Sequence, residues 1–278
     1  MHHLLYRICI ALAVVMPISA DAETLTFRSV VVPSNLTATL TGSLSFPAGT
    51  APFPVVILLH PCGGLEPFGL ATLQAHARSL QDAGFATLIL DSYGPRNLNG
   101  GKACDMFTLG FRSDDAFNAM ATLKTRPKIS SNNIFVLGLS DGANAALVAA
   151  KGVADAHFSA AVAYYPGCAT LMSGISYTIR SPTLVFVAGK DDWTPPSDCI
   201  SAKSASTVTG AEFDVINYPN AHHGFDQQRK TIRYKGHTLA YSPEAASDSR
   251  IRVREFFIRY LTDELKARAP FSSSSKAR

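Results

Sequence analysis

The 278-residue sequence has a single tryptophan and only five cysteines. Charge is also sparse: 17% of residues are Asp, Glu, Lys or Arg, the net charge is +4, and the basic residues are scattered. There is no basic stripe with interleaved aromatics, so nucleic acid is not an expected partner. No G-x-y period or heptad run occurs, which excludes collagen-like and coiled-coil architectures. No cysteines form C-x-x-C and no Cys/His spacing matches a zinc site, so no metal is expected. Beyond the first 22 residues, no segment approaches the roughly 18 uninterrupted apolar residues of a membrane span. No internal repeat occurs, and no linker within residues 54–265 is polar enough to mark a domain boundary. What the sequence does have is apolar content: 47% of residues are hydrophobic, enough for a sizeable core and too much for disorder of the bulk chain.

Residues 1–22 are expected to be a secretory leader. Arg7 carries the positive charge, residues 8–18 form an apolar run, and Ala20-Asp21-Ala22 is a small-x-small cleavage site, with cleavage after Ala20 or Ala22. The mature protein is then periplasmic or secreted, with no membrane insertion once the leader is gone. Cys62, Cys104, Cys168 and Cys199 remain, an even number in an oxidising compartment. Two disulfides are expected, and four cysteines allow three pairings. Residues 268–278, serine-rich and then basic, are expected to be a disordered tail.

Between leader and tail, residues 23–267 show alternating strand and helix patterns. Residues 24–32 and 37–46 suggest two antiparallel strands around Pro33-Ser34-Asn35. Six short apolar runs follow, at 55–59, 86–90, 134–139, 160–165, 183–188 and 213–218, as expected of strands buried on both faces. Helical patterns fill the gaps at 70–83, 112–125, 142–151 and 197–207. A long final helix is expected from the Ser242 N-cap, with Pro243 at its first position, to about Lys266. The predicted architecture is α/β: a single domain with an eight-stranded, mostly parallel sheet flanked by helices. The stretch between Gly167 and Arg180 is too short for a large lid, so an open or shallowly covered site is expected.

The chemistry falls at predicted strand ends. Gly138-Leu139-Ser140-Asp141-Gly142 is a G-x-S-x-G pentapeptide placed between a strand and a helix, the setting of a nucleophile elbow. A serine hydroxyl needs a base, and the base needs a carboxylate to fix its tautomer. Asp191 and Asp192 follow the strand at 183–188. His222 and His223 follow the next strand, so the chain order is Ser, Asp, His. His60-Pro61-Cys62-Gly63-Gly64 follows the first core strand and suits an oxyanion loop. Pro61 has no N–H, so Cys62 is the natural donor, with Asp141 as the second. The Cys62 thiol is expected in a disulfide rather than as a nucleophile. Arg96, after the strand ending at Asp91, could bind a substrate carboxylate or form a structural ion pair. Trp193 could line the pocket or anchor the core.

Six motifs together resemble the dienelactone hydrolase family of α/β-hydrolases over about residues 24–266. They are H-P-C-G-G at 60–64, D-S-Y-G-P-R at 91–96, G-x-S-x-G at 138–142, Y-Y-P-G-C at 164–168, G-K-D-D-W-T-P at 189–195 and H-G-F at 223–225. The resemblance implies the α/β-hydrolase fold and no cofactor. It makes Asp191 the acid, with Asp192 in reserve, and His223 the base, with His222 in reserve. Two positions depart from the family. Ser140 stands where dienelactone hydrolases proper use cysteine, and Pro61 stands where they carry a glutamate beside the oxyanion loop. The implied activity is that of an exported serine-nucleophile member: hydrolysis of small soluble carboxylic esters or lactones through an acyl-serine. A prolyl-oligopeptidase-like peptidase and a non-catalytic exported scaffold are the alternatives.

Overall fold

The six apolar runs become strands, and all but the edge strand at 213–218, which is only half-buried, are covered on both faces. The computed structural model describes residues 22–31, 36–106, 109–169, 177–204, 208–268 and 270. The expected leader falls outside the described residues except for Ala22, as do residues 271–278 of the expected tail. In β3 (Phe53–Leu59) and β8 (Thr183–Ala188) every residue is buried. β1 (Glu23–Val31) instead alternates buried and exposed positions, as befits a strand at a sheet edge.

The remaining strands of the main sheet are β2 (Leu36–Ser45), β4 (Ala86–Asp91), β5 (Ile129–Leu139), β6 (Ala161–Tyr164) and β10 (Phe213–Tyr218). The eight strands run in the order β1-β2-β4-β3-β5-β6-β8-β10. β2 pairs antiparallel with β1 and β4, and the other neighbours are parallel. On one face, Val55, Ile57, Leu59 and Val136 pack with Ala116, Met120 and Leu123 of α2 (Leu109–Lys124) and the alanines of α3 (Asp141–Ala150). On the other, Val56, Leu58 and Leu137 pack with Leu73 and Leu80 of α1 (Pro67–Asp82) and Val253 and Phe257 of α5 (Pro243–Arg259). Each fully buried side chain of this size contributes about 1.5–3 kcal/mol. α4 (Pro196–Ser204) flanks β10.

The chain leaves β3 toward β4 on one side and reaches β5 on the other. A crevice therefore forms at the carboxyl ends of these strands, where open α/β sheets bind ligands. The loop at 60–64, the turn at Ser140, the aspartates and the histidines all follow strands at this end of the sheet.

Two features depart from the expected pattern. The long final helix breaks at Tyr260, and α6 (Asp263–Lys266) is separate. The buried Asn133 holds the chain at the break: its Oδ1 accepts the Thr262 N–H at 2.8 Å and its amide donates to Thr262 Oγ1 at 3.2 Å. Arg268, the first residue of the expected tail, donates to the Pro52 carbonyl at 3.2 Å and also to that of Thr50. Finally, two small sheets were not expected. One is β7 (Tyr177–Ile179) with β9 (Val208–Gly210); the other is the hairpin β11 (Ile232–Tyr234) and β12 (His237–Leu239).

Candidate active site

Ser140 sits between β5 and α3 with φ 53° and ψ −115°, a backbone that non-glycine residues rarely adopt. The turn is tight because both glycines allow close approach. A Cβ on Gly138 would lie 1.9 Å from the Gly142 carbonyl oxygen, and one on Gly142 would lie 2.3 Å from that of Leu59. The Ser140 N–H donates to the Tyr164 carbonyl at 2.9 Å, which holds the elbow against β6.

Ser140 Oγ lies 3.0 Å from His223 Nε2. On the other side of the ring, His223 Nδ1 lies 2.8 Å from Asp191 Oδ2. A carboxylate can only accept there, so Nδ1 carries the proton and Nε2 presents its lone pair to the serine. Asp191 is itself well held. Its Oδ1 accepts the N–H groups of Trp193 and Thr194 at 2.9 and 2.8 Å, and its Oδ2 accepts the Thr194 hydroxyl at 2.8 Å. Burial pushes the Asp191 carboxyl up, but the His223 hydrogen bond and charge and the two backbone N–H groups outweigh it. The net position is below the ordinary value. The His223 ring is 2% exposed and lies between Tyr165 and Trp193, with centroids 4.6 and 5.1 Å away.

The two reserve residues are used differently. Asp192 accepts the Thr238 N–H at 2.9 Å and so fastens the β11–β12 hairpin. His222, with a buried Nδ1 that has no partner among the described residues, contacts neither Ser140 nor Asp191 through a hydrogen bond.

A cavity of about 300 Å³ adjoins Ser140 and His223. Phe68, Trp193, Tyr234 and Leu239 supply apolar wall, and Arg229 lies over the Phe68 ring at 4.3 Å. Trp193 thus takes the pocket-lining position, stacked on His237 with centroids 4.8 Å apart. The hairpin supplies one side of the cavity. Its Lys235 pairs with Asp105 across from it, in the 3-10 turn Lys102–Asp105.

The cysteines form two disulfides, Cys62–Cys104 and Cys168–Cys199. The first ties the loop after β3 to the 3-10 turn, and both of its residues line the cavity. The second is buried and ties the segment after β6 to α4, next to the loop that carries Asp191. Two disulfides point to an oxidising, extracellular or periplasmic setting. No helix among the described residues is long and apolar enough to cross a membrane, and no group of three or more His, Cys, Asp or Glu among them could hold a metal.

Arg96 does not reach the cavity as a carboxylate ligand. Its guanidinium forms a two-pronged pair with Asp115, both contacts at 2.8 Å, and donates to the Ser92 carbonyl at 2.7 Å. Asp115 is wholly buried and also accepts the Ser29 hydroxyl at 2.6 Å. Of the two roles expected for Arg96, the structure shows the ion pair. Arg96→Met is expected to cost about 3 kcal/mol, because it strands a buried carboxylate. Denaturant unfolding measures that loss, and KM for a carboxylate-bearing ester should stay unchanged.

Several residues with no assigned role in the sequence also build the site. Thr194 was quoted only as part of a motif. Tyr165, at φ 43°, joins its hydroxyl to Asp226 Oδ1 at 2.7 Å, and Asp226 Oδ2 meets His76 Nε2 at 2.7 Å. This chain of buried groups fixes the segment just after His223 to α1. Arg112 and Tyr93 hold the Asp141 carboxylate.

Residues 40–261 match the model of the dienelactone hydrolase family. No curated protein sequence matches the chain. Among solved structures, a dienelactone hydrolase from Anabaena variabilis superposes with TM-score 0.63 at 21% identity, covering 86% of this chain and 99% of that one. Thermogutta terrifontis esterase 2 gives 0.62 at 15% identity over 90% and 96% of the two chains. A Pyrococcus furiosus esterase gives 0.60 at 16% identity over 86% and 93%. At these identities, the three superpositions speak for the fold.

Proposed function

The chain belongs to the dienelactone hydrolase family, and from that premise we propose that it is a serine hydrolase of small soluble carboxylic esters or lactones. The observation that carries the proposal is the relay from Ser140 Oγ to His223 Nε2 at 3.0 Å and from His223 Nδ1 to Asp191 at 2.8 Å, set beside a cavity of about 300 Å³. Ser140 attacks the carbonyl while His223 accepts its proton. Asp191 stabilises the imidazolium. The N–H groups of Cys62 and Asp141 hold the oxyanion. His223 then delivers its proton to the leaving alkoxide, and water, activated by the same histidine, cleaves the acyl-serine. The residues named here need no cofactor for these steps.

The cavity is at the small end of ligand sites, which favours short acyl and alcohol groups. The reading extends to export: residues 1–22 serve as the leader, and the mature protein is periplasmic or secreted. The two disulfides support this.

The test is active-site labelling by a fluorophosphonate, followed by a substrate panel. The related Thermogutta esterase 2 has been seen phosphoramylated by tabun, so an organophosphorus probe suits the fold. One label at Ser140 and turnover of short aryl esters or lactones are expected. Absence of labelling would favour a non-catalytic scaffold. Cleavage of peptide amides in preference to esters would favour a peptidase.

A further inference from the structure

Arg112, near the start of α2, is wholly buried beneath the site. Its Nη1 donates to Asp141 Oδ2 at 2.7 Å, and its Nη2 donates to the His60 carbonyl at 2.6 Å. The guanidinium lies over the Tyr93 ring, 4.7 Å from its centroid, and the Tyr93 hydroxyl donates to the same Asp141 oxygen. Burial, and then the Arg112 cation beside it, push the His60 imidazole well below its usual range, so that ring is neutral. Its Nε2 accepts the Ser92 N–H at 3.3 Å, and its Nδ1–H donates to the Pro61 carbonyl at 2.8 Å.

Two backbone segments meet at Arg112. His60 directly follows β3 and leads through Pro61 to Cys62. Asp141 directly follows Ser140. These are the segments that supply the two oxyanion N–H groups in the proposed mechanism. Asp141 also brings a carboxylate to the residue next to the nucleophile. Negative charge there opposes the charge that develops on the oxyanion.

We propose that Arg112 is a positioning residue for the oxyanion hole, which ties its two donor segments together and cancels the Asp141 charge beside the reacting carbonyl. The proposal rests on the serine-hydrolase reading above. A lysine could match the charge but not the reach, because only the planar guanidinium fork meets two acceptors in fixed directions.

The test compares Arg112→Met, Arg112→Lys, Asp141→Asn and the double variant Arg112→Met/Asp141→Asn in the full chain, with p-nitrophenyl acetate as substrate. Arg112→Met is expected to lower kcat about 100-fold with KM within about threefold, comparable to losing one oxyanion donor. Asp141→Asn keeps its backbone N–H and should lose about tenfold or less. The double variant removes the stranded charge and should recover at least about tenfold of the kcat lost in Arg112→Met. A double variant no better than Arg112→Met would overturn the charge cancellation, since a merely structural role predicts no rescue. If Arg112→Met does not fold by circular dichroism, Arg112→Lys decides the clamp: a kcat about tenfold down supports it, and wild-type kcat overturns it. Fluorophosphonate labelling of the wild-type protein keeps the two readings apart. Failure to label would sink the hydrolase reading, whereas labelling with an indifferent Arg112→Met would sink only the role of Arg112.

Discussion

Ser140→Ala is expected to lower kcat for short esters by about 10⁵-fold or more while leaving the protein folded. Among the described residues, the hydroxyl is the only side-chain group hydrogen-bonded to His223 Nε2, at 3.0 Å, so removal leaves the proposed base without a proton to take. What remains is the proposed oxyanion hole and the cavity, and such remnants still outpace water by about 10³–10⁴-fold. The fold should barely notice. The elbow is held by backbone: Ser140 N–H to the Tyr164 carbonyl, and the Asn144 N–H to the Ser140 carbonyl at 3.0 Å. Alanine can occupy the same φ of 53° at a similar cost to serine, because both carry a single Cβ. The freed His223 Nε2 faces the cavity, so the stability change should lie within about 1 kcal/mol. Ester assays paired with thermal unfolding check both halves. Residual activity near the wild-type level, with the fold intact, would remove Ser140 from the mechanism.

Strands that bury both faces were the most legible part of the fold. The run at 183–188 coincides with β8, and so does that at 213–218 with β10, although this edge strand is only half-buried; the ends of the others differ by one or two residues, except that β5 starts five residues before the expected 134. Their signal is local, because a buried strand is a continuous apolar run whatever it packs against. The break at Tyr260 was not legible, because the partner that holds Thr262 just beyond it is Asn133, 129 residues away in the chain. The hairpin was missed for another reason. Its strands are three residues long, and its turn is Lys235-Gly236, both at positive φ. Asn-Gly would have flagged such a turn, and lysine hides it. At the candidate site, the grouping of Ser140, Asp191 and His223 was legible because each lies in the loop or turn after a strand, in a fixed chain order. Arg96 was not, since its position after β4 suits either a ligand or an ion pair. Only the packing of α2 beside it brings Asp115 within 2.8 Å. Arg112 looked like any residue near a helix start until the fold set it under both His60 and Asp141.

Asp191→Asn should be the second severe change, with kcat about 10⁴-fold down and KM little altered. The reason lies in how the carboxylate is surrounded. Oδ1 accepts two backbone N–H groups, from Trp193 and Thr194, and these cannot turn away. An asparagine must therefore place its carbonyl oxygen at Oδ1, since its amide there would face two donors. The NH₂ group then takes the Oδ2 position, 2.8 Å from His223 Nδ1. Donor would meet donor unless His223 gives up its Nδ1 proton, so the ring is driven to the Nε2–H tautomer. That tautomer donates to Ser140 and cannot accept its proton. The nucleophile stays in place with no base, although no atom has moved far. A second readout follows from the lowered Asp191 carboxyl. A carboxylate held below its unfolded value stabilises the fold fully above that value, ~3.9, and loses the contribution as pH falls through the lower, folded value. Wild-type stability should therefore exceed that of Asp191→Asn at neutral pH, and the gap should close as the medium is made acid below about pH 4. Proton NMR of the His223 ring at neutral pH would check the tautomer directly, through a shift of the ring proton from Nδ1 to Nε2. A variant that keeps the Nδ1 proton and still loses its activity would show that Asp191 contributes charge rather than tautomer control.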